Sequence, residues 1–89
     1  MNVIDSLEIG DGHIIEWGHS TWDPAAVSIR DRYPTATGGF SPHSSSELPI
    51  QDLEHLVTAA SNWNLLDSHS MARMIEALAV ALRRHMSRI

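Results

Sequence analysis

The amino-acid sequence predicts an α+β fold, with an N-terminal antiparallel β-sheet of three to four short strands packed against a C-terminal helical hairpin. Residues 1–45 contain short β-branched runs separated by glycine and proline turn signals. Residues 46–89 contain two stretches in which apolar residues recur every three or four positions. A chain of 89 residues is long enough for one compact domain and too short for two. We therefore expect a single domain over 1–89.

The first two strands are predicted on either side of a glycine-rich turn. Val3–Ile9 and His13–Trp17 are rich in β-branched and aromatic residues, and Gly10-Asp11-Gly12 separates them. Glycine accepts the positive φ angles that tight hairpin turns require. The pattern predicts a β-hairpin whose second strand ends before Gly18.

The segment after this hairpin is open to two interpretations. Asp23-Pro24 is typical of a helix N-cap followed by proline in the first turn. Val27, Ile29, Asp31 and Tyr33, however, alternate with Ser28, Arg30 and Arg32, and a period of two indicates a strand. We favour a third strand over Val27–Tyr33, entered by a turn at Asp23-Pro24. Residues 35–39 would then form a turn into a weaker fourth strand around Phe40.

The C-terminal half predicts two helices joined by a short link. Pro49 suits a first helical turn, and an asparagine at 62 or 64 can take the left-handed conformation that ends a helix. The apolar face of this first helix comprises Ile50, Leu53, Leu56, Val57, Ala60 and Trp63. Asp67 or Ser68 can cap the final helix, whose apolar positions are Met71, Ile75, Leu78, Leu82, Met86 and Ile89. A short link favours antiparallel neighbours.

Composition and charge exclude several classes of function. The chain has no cysteine, which excludes disulfides, thiolate nucleophiles and zinc sites built on sulfur. Its formal net charge is −5, and an acidic chain has little general affinity for nucleic acid. No apolar run approaches the roughly 18 residues of a membrane span, and the N-terminal residues lack a secretory pattern. We expect a soluble cytoplasmic protein without a membrane or cofactor, whose protein partner is basic.

One stretch of the final helix is apolar around its whole circumference. Ala77–Leu82 contains only alanine, leucine and valine, and a helix that is apolar on all sides is usually covered on all sides. Small alanine side chains permit close helix–helix approach, so we expect a homo-oligomer. The alternative is a central core helix inside one chain. Tryptophan is common at interfaces, and we expect Trp22 to be exposed while Trp17 and Trp63 belong to the core. The candidate interface residues are Trp22, Ala77, Ala79, Val80, Ala81, Arg83 and Arg84.

A second candidate site lies around residues 35–46. This run contains Gly38-Gly39 and several hydroxyls and leads toward a helix N-terminus, where backbone amides favour anions. The candidate phosphate- or nucleotide-binding residues are Arg30, Arg32, Gly38, Gly39, His43, Ser44, Ser45 and Ser46. The loop lacks both nucleotide-binding glycine fingerprints. The plainer interpretation is a solvated loop whose arginines pair with Asp31 or Glu47.

No catalytic or metal-binding pattern stands out. His43 lies among serines, but the Gly-x-Ser-x-Gly elbow of serine hydrolases is absent. His13, His19 and Asp23 lack the tight spacing of a metal site. A DNA-binding helix would need outward-facing basic residues at its N-terminal end, and only His69 and Arg73 qualify.

The sequence thus predicts a small non-catalytic protein-binding module. An inhibitor, an immunity-type protein or an accessory regulatory protein, acting by occlusion or scaffolding, fits this description. The alternative is a small-ligand binder that uses Arg30, Arg32 and the Gly38–Ser46 loop. A less favoured alternative is a DNA-binding regulator with a patch formed by Arg83, Arg84 and Arg88.

Overall fold

The computed structural model describes residues 1–34 and 46–87, and it has a four-stranded antiparallel sheet followed by two helices. This α+β arrangement confirms the predicted fold class. The strands lie in the order β1-β2-β3-β4, and the elements are β1 (Asn2–Gly10), β2 (His13–His19), β3 (Val27–Arg32), β4 (Glu47–Pro49), α1 (Asp52–Asn62) and α2 (Ser68–Met86). The chain divides into two compact units, residues 1–55 (the sheet unit) and residues 56–89 (the helix unit), which are described separately below.

The β1–β2 hairpin is as predicted. Asp11 and Gly12 have φ angles of 35° and 84°, which places the turn residues in the left-handed region. The Gly12 amide also donates a hydrogen bond to Glu8 Oε1, at 3.2 Å. From this turn the strands pair with Leu7 opposite Ile15.

Gly18 lies inside β2, so the prediction that it ends the strand is wrong. It pairs with Val3 on one side and Ser28 on the other. A Cβ atom at this position would lie 2.0 Å from the carbonyl oxygen of Asn2. Glycine is needed here because the neighbouring backbone approaches too closely for any side chain.

Val27–Arg32 forms strand β3, as its period of two predicted, and Asp23-Pro24 forms a turn and not the start of a helix. Asp23 accepts two hydrogen bonds, from the Ala26 amide to its carbonyl at 3.0 Å and from the Ala25 amide to its Oδ1 at 2.9 Å. These bonds close a turn, because an aspartate side chain can accept from the backbone two residues on. The predicted turn and the predicted third strand are confirmed, with β3 ending at Arg32.

The fourth strand comes from a segment predicted as the start of a helix. β4 pairs with β3, with Leu48 opposite Ile29, and Pro49 is its last residue. Proline is tolerated there because an edge strand has backbone positions that need no donor. The assignment of Pro49 to a first helical turn is therefore wrong, and α1 begins at Asp52. The predicted strand around Phe40 lies outside the described residues.

The end of α1 and the start of α2 lie at the capping residues that the sequence predicted. Asn64, two residues after α1, has a φ angle of 57°. Asp67 is the N-cap of α2, and its carboxylate accepts hydrogen bonds from the amide and the hydroxyl of Ser70, at 2.8 and 2.9 Å. These two bonds, the amide first, lower the pKa of Asp67.

Within the described residues, the most deeply buried side chains are polar. Ser28 is fully buried, its hydroxyl lies 2.5 Å from that of Ser20, and Glu16 is also buried. No apolar side chain of this part of the chain is buried. Trp17 is 40% exposed and Trp63 is 71% exposed, so the prediction that both belong to the core is wrong.

Candidate interaction surfaces

The longest exposed apolar surface on a single element lies along α2. Its members are spaced four, three, four and four residues apart, which places them on one side of a helix that turns 100° per residue. These residues, named here the α2 stripe, are Met71, Ile75, Leu78, Leu82 and Met86. Ile75 and Leu78 are 68% and 66% exposed. A helix of this length extends about 28 Å, so the stripe is long enough to pack against a whole second helix.

The remaining sides of α2 differ from the stripe. Met74 and Ala81 share one flank and are half-buried. Ala77 and Val80 are exposed, and the turn of 100° per residue places them on the side of the helix opposite the α2 stripe. No residue of α2 is buried, so Ala77–Leu82 is not a core helix inside the described chain.

The predicted interface residues therefore fall in different places. Ala79 borders the α2 stripe, Arg83 lies on the flank next to it, and Arg84 lies on the far side with Ala77 and Val80. Trp22 is 55% exposed, as predicted, in the loop between β2 and β3. The residues of the α2 stripe were predicted as apolar positions of the final helix, but none of them was among the predicted interface residues.

Two opposite charges of α2 lie on one flank of the helix. Glu76 is the only acidic residue between Ser68 and Met86. Arg83 follows seven residues later, close to two helical turns, and so lies on the same flank as Glu76. Because the two side chains are about 10 Å apart along the axis, they do not pair within one helix.

One face of the sheet is apolar and contains a shallow cavity. Leu7 pairs with Ile15, and Trp17 pairs with Ile29, so these four side chains lie on the same face. They line a cavity of about 150 Å³, which Asp5 also borders. This face can receive an apolar side chain of another molecule.

The edge strand β1 is exposed along its whole length. All nine residues from Asn2 to Gly10 are exposed. Register shifts leave Ile4 and Ile9 out of the ladder with β2, and regular pairing spans Asp5–Glu8. The Ser6 amide donates to Asp5 Oδ1 at 2.8 Å, so a side chain of the same strand occupies a backbone donor at the edge.

The opposite sheet face contains the two arginines predicted to bind an anion. Arg30 donates to Glu16 Oε1 through Nε at 2.7 Å, with its Nη2 at 2.5 Å, and Arg32 Nε lies 4.0 Å from the same oxygen. Ser46 is exposed just before β4. The other predicted ligand residues, Gly38, Gly39, His43, Ser44 and Ser45, lie outside the described residues. The anion site stays a prediction.

Glu47 and Asp31, which were predicted as the alternative partners of the two arginines, also contact other residues. Desolvation raises the pKa of Glu47, but hydrogen bonds from the hydroxyl and the amide of Thr21 and the nearby charges of the N-terminal ammonium and Arg30 outweigh it, so the pKa of Glu47 is lowered. Asp31 is hydrogen-bonded to His13. The His13 ring also stacks on Tyr33 with centroids 4.0 Å apart. In residues 1–34 and 46–87, no three acidic or histidine side chains are grouped as metal ligands.

Comparison with known proteins found no matching family model, no matching curated protein and no matching solved structure. Among the described residues, no helix is long and apolar enough to cross a membrane.

Proposed function

We propose that this chain is a non-catalytic protein-association module that forms a homodimer through the α2 stripe. The observation that supports the proposal is the exposure of five apolar side chains along one side of a 19-residue helix. Burying one such side chain completely contributes roughly 1.5–3 kcal/mol. A monomer that leaves all five in water loses that contribution at each position.

A second copy of the chain is the partner that the charge pattern of α2 favours. Interfaces of two-fold symmetry are self-complementary, so that one position of each copy contacts a different position of the other. When two helices pack antiparallel, the same flank of each helix meets. With Leu78 opposite the partner's Leu82, Glu76 comes level with the partner's Arg83 to within about one residue.

The antiparallel arrangement brings Glu76 of one copy close to Arg83 of the other twice in each dimer. In a parallel arrangement, the flank of Glu76 and Arg83 would instead meet the flank of Met74 and Ala81, neither of which is charged. Interfacial charges of this kind fix register and orientation more than they add affinity. The proposal therefore specifies both the partner and the direction of its helix.

Such a dimer would act by occlusion or scaffolding. It would present two copies of the sheet unit, whose β1 and β1–β2 turn contain Asp5, Glu8 and Asp11 and no lysine or arginine. An acidic surface attracts basic partners and can compete with nucleic acid for them. This is the behaviour of an inhibitor, an immunity-type protein or an accessory regulatory protein.

Size-exclusion chromatography with light scattering tests the proposal with two matched substitutions. Ala79→Glu places a charge at the border of the α2 stripe, whereas Ala77→Glu places the same charge on the opposite side of the same helix. The substitutions have the same cost in helix propensity. We expect the wild type and Ala77→Glu to have twice the chain mass of 9.9 kDa, and Ala79→Glu to be a folded monomer.

Two results would overturn the proposal. A wild type that remains a monomer at all concentrations would exclude self-association. A dimer that Ala77→Glu disrupts and Ala79→Glu leaves intact would place the interface elsewhere on α2.

A further inference from the structure

We infer that the exposed edge of β1 is a second binding site, which accepts an extended basic segment of another protein as an additional strand. This site goes beyond the proposed dimer, because it lies in the sheet unit and uses no residue of α2. Adding a strand to a free sheet edge is a common mode of peptide recognition. Main-chain hydrogen bonds supply affinity, and pockets for alternate side chains supply specificity.

The first observation that supports this site is the exposure of β1 at the outside of the sheet. β1 is an outer strand of the sheet, and all nine of its residues are exposed. A long exposed edge presents backbone groups that can pair with another chain. The register shifts at Ile4 and Ile9 interrupt this edge, so the regular part that can accept a strand is Asp5–Glu8.

The second support is the bond between Asp5 and Ser6. The carboxylate of Asp5 accepts from the Ser6 amide at 2.8 Å, where the carbonyl of an incoming strand would accept. Side chains that cover edge donors protect a sheet from indiscriminate pairing. The main-chain carbonyl of an incoming strand can replace this carboxylate as the acceptor for the Ser6 amide.

The third support is the cavity next to this edge. Leu7, Ile15 and Trp17 line it, and Asp5 borders it. Side chains of an added strand alternate between the two faces of the sheet, so every second residue would lie on the face of the cavity. An apolar residue of the partner fits this cavity, and the basic residues next to it in sequence lie on the opposite face of the sheet, on which the side chain of Glu8 lies.

The charge of β1 favours a foreign basic segment over a second copy of the chain. Asp5 and Glu8 belong to the strand, Asp11 follows in the turn, and no lysine or arginine lies between Met1 and His19. Two copies paired edge to edge would bring the carboxylates of both copies together. Like charges across paired strands are destabilising.

An NMR titration of the full chain tests the site with blocked synthetic peptides. In the first peptide arginine alternates with valine, and in the control peptide arginine alternates with proline, which keeps the charge and removes the strand donors. We expect the arginine–valine peptide to shift the backbone amides of Asp5–Glu8 and to slow hydrogen exchange of the Ser6 amide. The arginine–proline peptide is expected to bind at least tenfold more weakly.

Two substitutions at one position locate the contact. Ser6→Pro removes the edge donor, whereas Ser6→Ala keeps it. We expect Ser6→Pro to weaken binding of the arginine–valine peptide at least tenfold, and Ser6→Ala to bind like the wild type. The far-UV circular dichroism of both variants is compared with that of the wild type to show that the sheet persists. Asp5→Asn, which retains an acceptor without the charge, is expected to weaken binding by a smaller factor.

Three results would overturn the inference. Equal binding of the two peptides would show attraction by charge alone. Unchanged binding to a folded Ser6→Pro variant would exclude the edge of β1. Self-association that Ser6→Pro abolishes, measured as solution mass, would show that a second copy occupies this edge. Because the α2 stripe is intact in all these variants, none of these results depends on whether α2 forms the dimer.

Discussion

The sheet unit and the helix unit differ in the sequence distance over which their side chains interact. In the sheet unit, Glu16 pairs with Arg30 and Ser20 with Ser28, so residues 14 and 8 positions apart hold different strands together. In the helix unit, the side-chain hydrogen bonds that define the cap and the turns join residues within four positions, such as Ser61 with Val57. The sheet unit therefore has side-chain contacts between strands distant in sequence, whereas the side-chain hydrogen bonds of the helix unit are local and the apolar side chains of α2 are exposed.

The largest expected effect comes from adding a side chain at the close backbone approach between β1 and β2 in the sheet unit. Gly18→Ala would place a Cβ atom 2.0 Å from the Asn2 carbonyl oxygen, so β1 and β2 must separate. We expect a loss of about 3 kcal/mol in the free energy of unfolding, at the upper end for inserting a methyl group into a packed site. Urea unfolding followed by tryptophan fluorescence measures it, with Ser6→Ala as the exposed control. A loss below about 1 kcal/mol would contradict the account.

The second-largest expected effect is the difference in unfolding free energy between losing a buried ion pair of the sheet and losing an exposed one. Glu16→Ala removes the buried carboxylate that contacts Arg30, and we expect a loss of about 3 kcal/mol. Asp31→Ala removes the exposed carboxylate that contacts His13, where a loss of up to about 1 kcal/mol is expected. Equal losses in chemical denaturation would show that burial does not govern the contribution of Glu16.

The smallest expected effect is on the pH dependence of the two units. The pKa of Glu47 in the sheet and the pKa of Asp67 at the α2 N-cap are both lowered. Each carboxylate therefore contributes stability that is present above its ordinary pKa and is lost as the pH falls through the lower pKa of the folded state. We expect the wild type to lose stability below about pH 4.

Two substitutions assign this pH dependence. Glu47→Gln and Asp67→Asn remove one titrating group each, and asparagine remains a good N-cap. We expect each variant to have a shallower slope of unfolding free energy against pH than the wild type. Parallel slopes for the wild type and both variants would show that other carboxylates determine the acid sensitivity.

The elements that could be predicted from the sequence are those with local signals. The turn residues Asp11 and Gly12, the alternation of β3 and the Asp67 cap each act within a few residues, and all three match the structure. β4 was missed because a three-residue strand ending in Pro49 depends on pairing with β3, 17 to 21 positions earlier in the chain. Gly18 was misread for the same reason, since only the backbone of Asn2 explains it.

The candidate surfaces show the same limit. The periodicity of α2 predicted its apolar positions but not their exposure, because burial depends on elements distant in sequence. The β1 edge was missed because strand order decides which strand is outermost, and no signal within Asn2–Gly10 contains that order. Arg30 and Arg32 were predicted from one strand face, and their shared contact with Glu16 depends on the register between β2 and β3.

Sedimentation equilibrium on a charge-swap series tests the central claim most directly. We expect the wild type to be a dimer and Glu76→Arg and Arg83→Glu each to weaken it, by roughly tenfold for two exposed pairs worth up to about 1 kcal/mol each. The double variant, with the charges exchanged, is expected to recover the wild-type dissociation constant. A wild-type monomer, or a double variant no stronger than the single variants, would contradict an antiparallel α2 dimer.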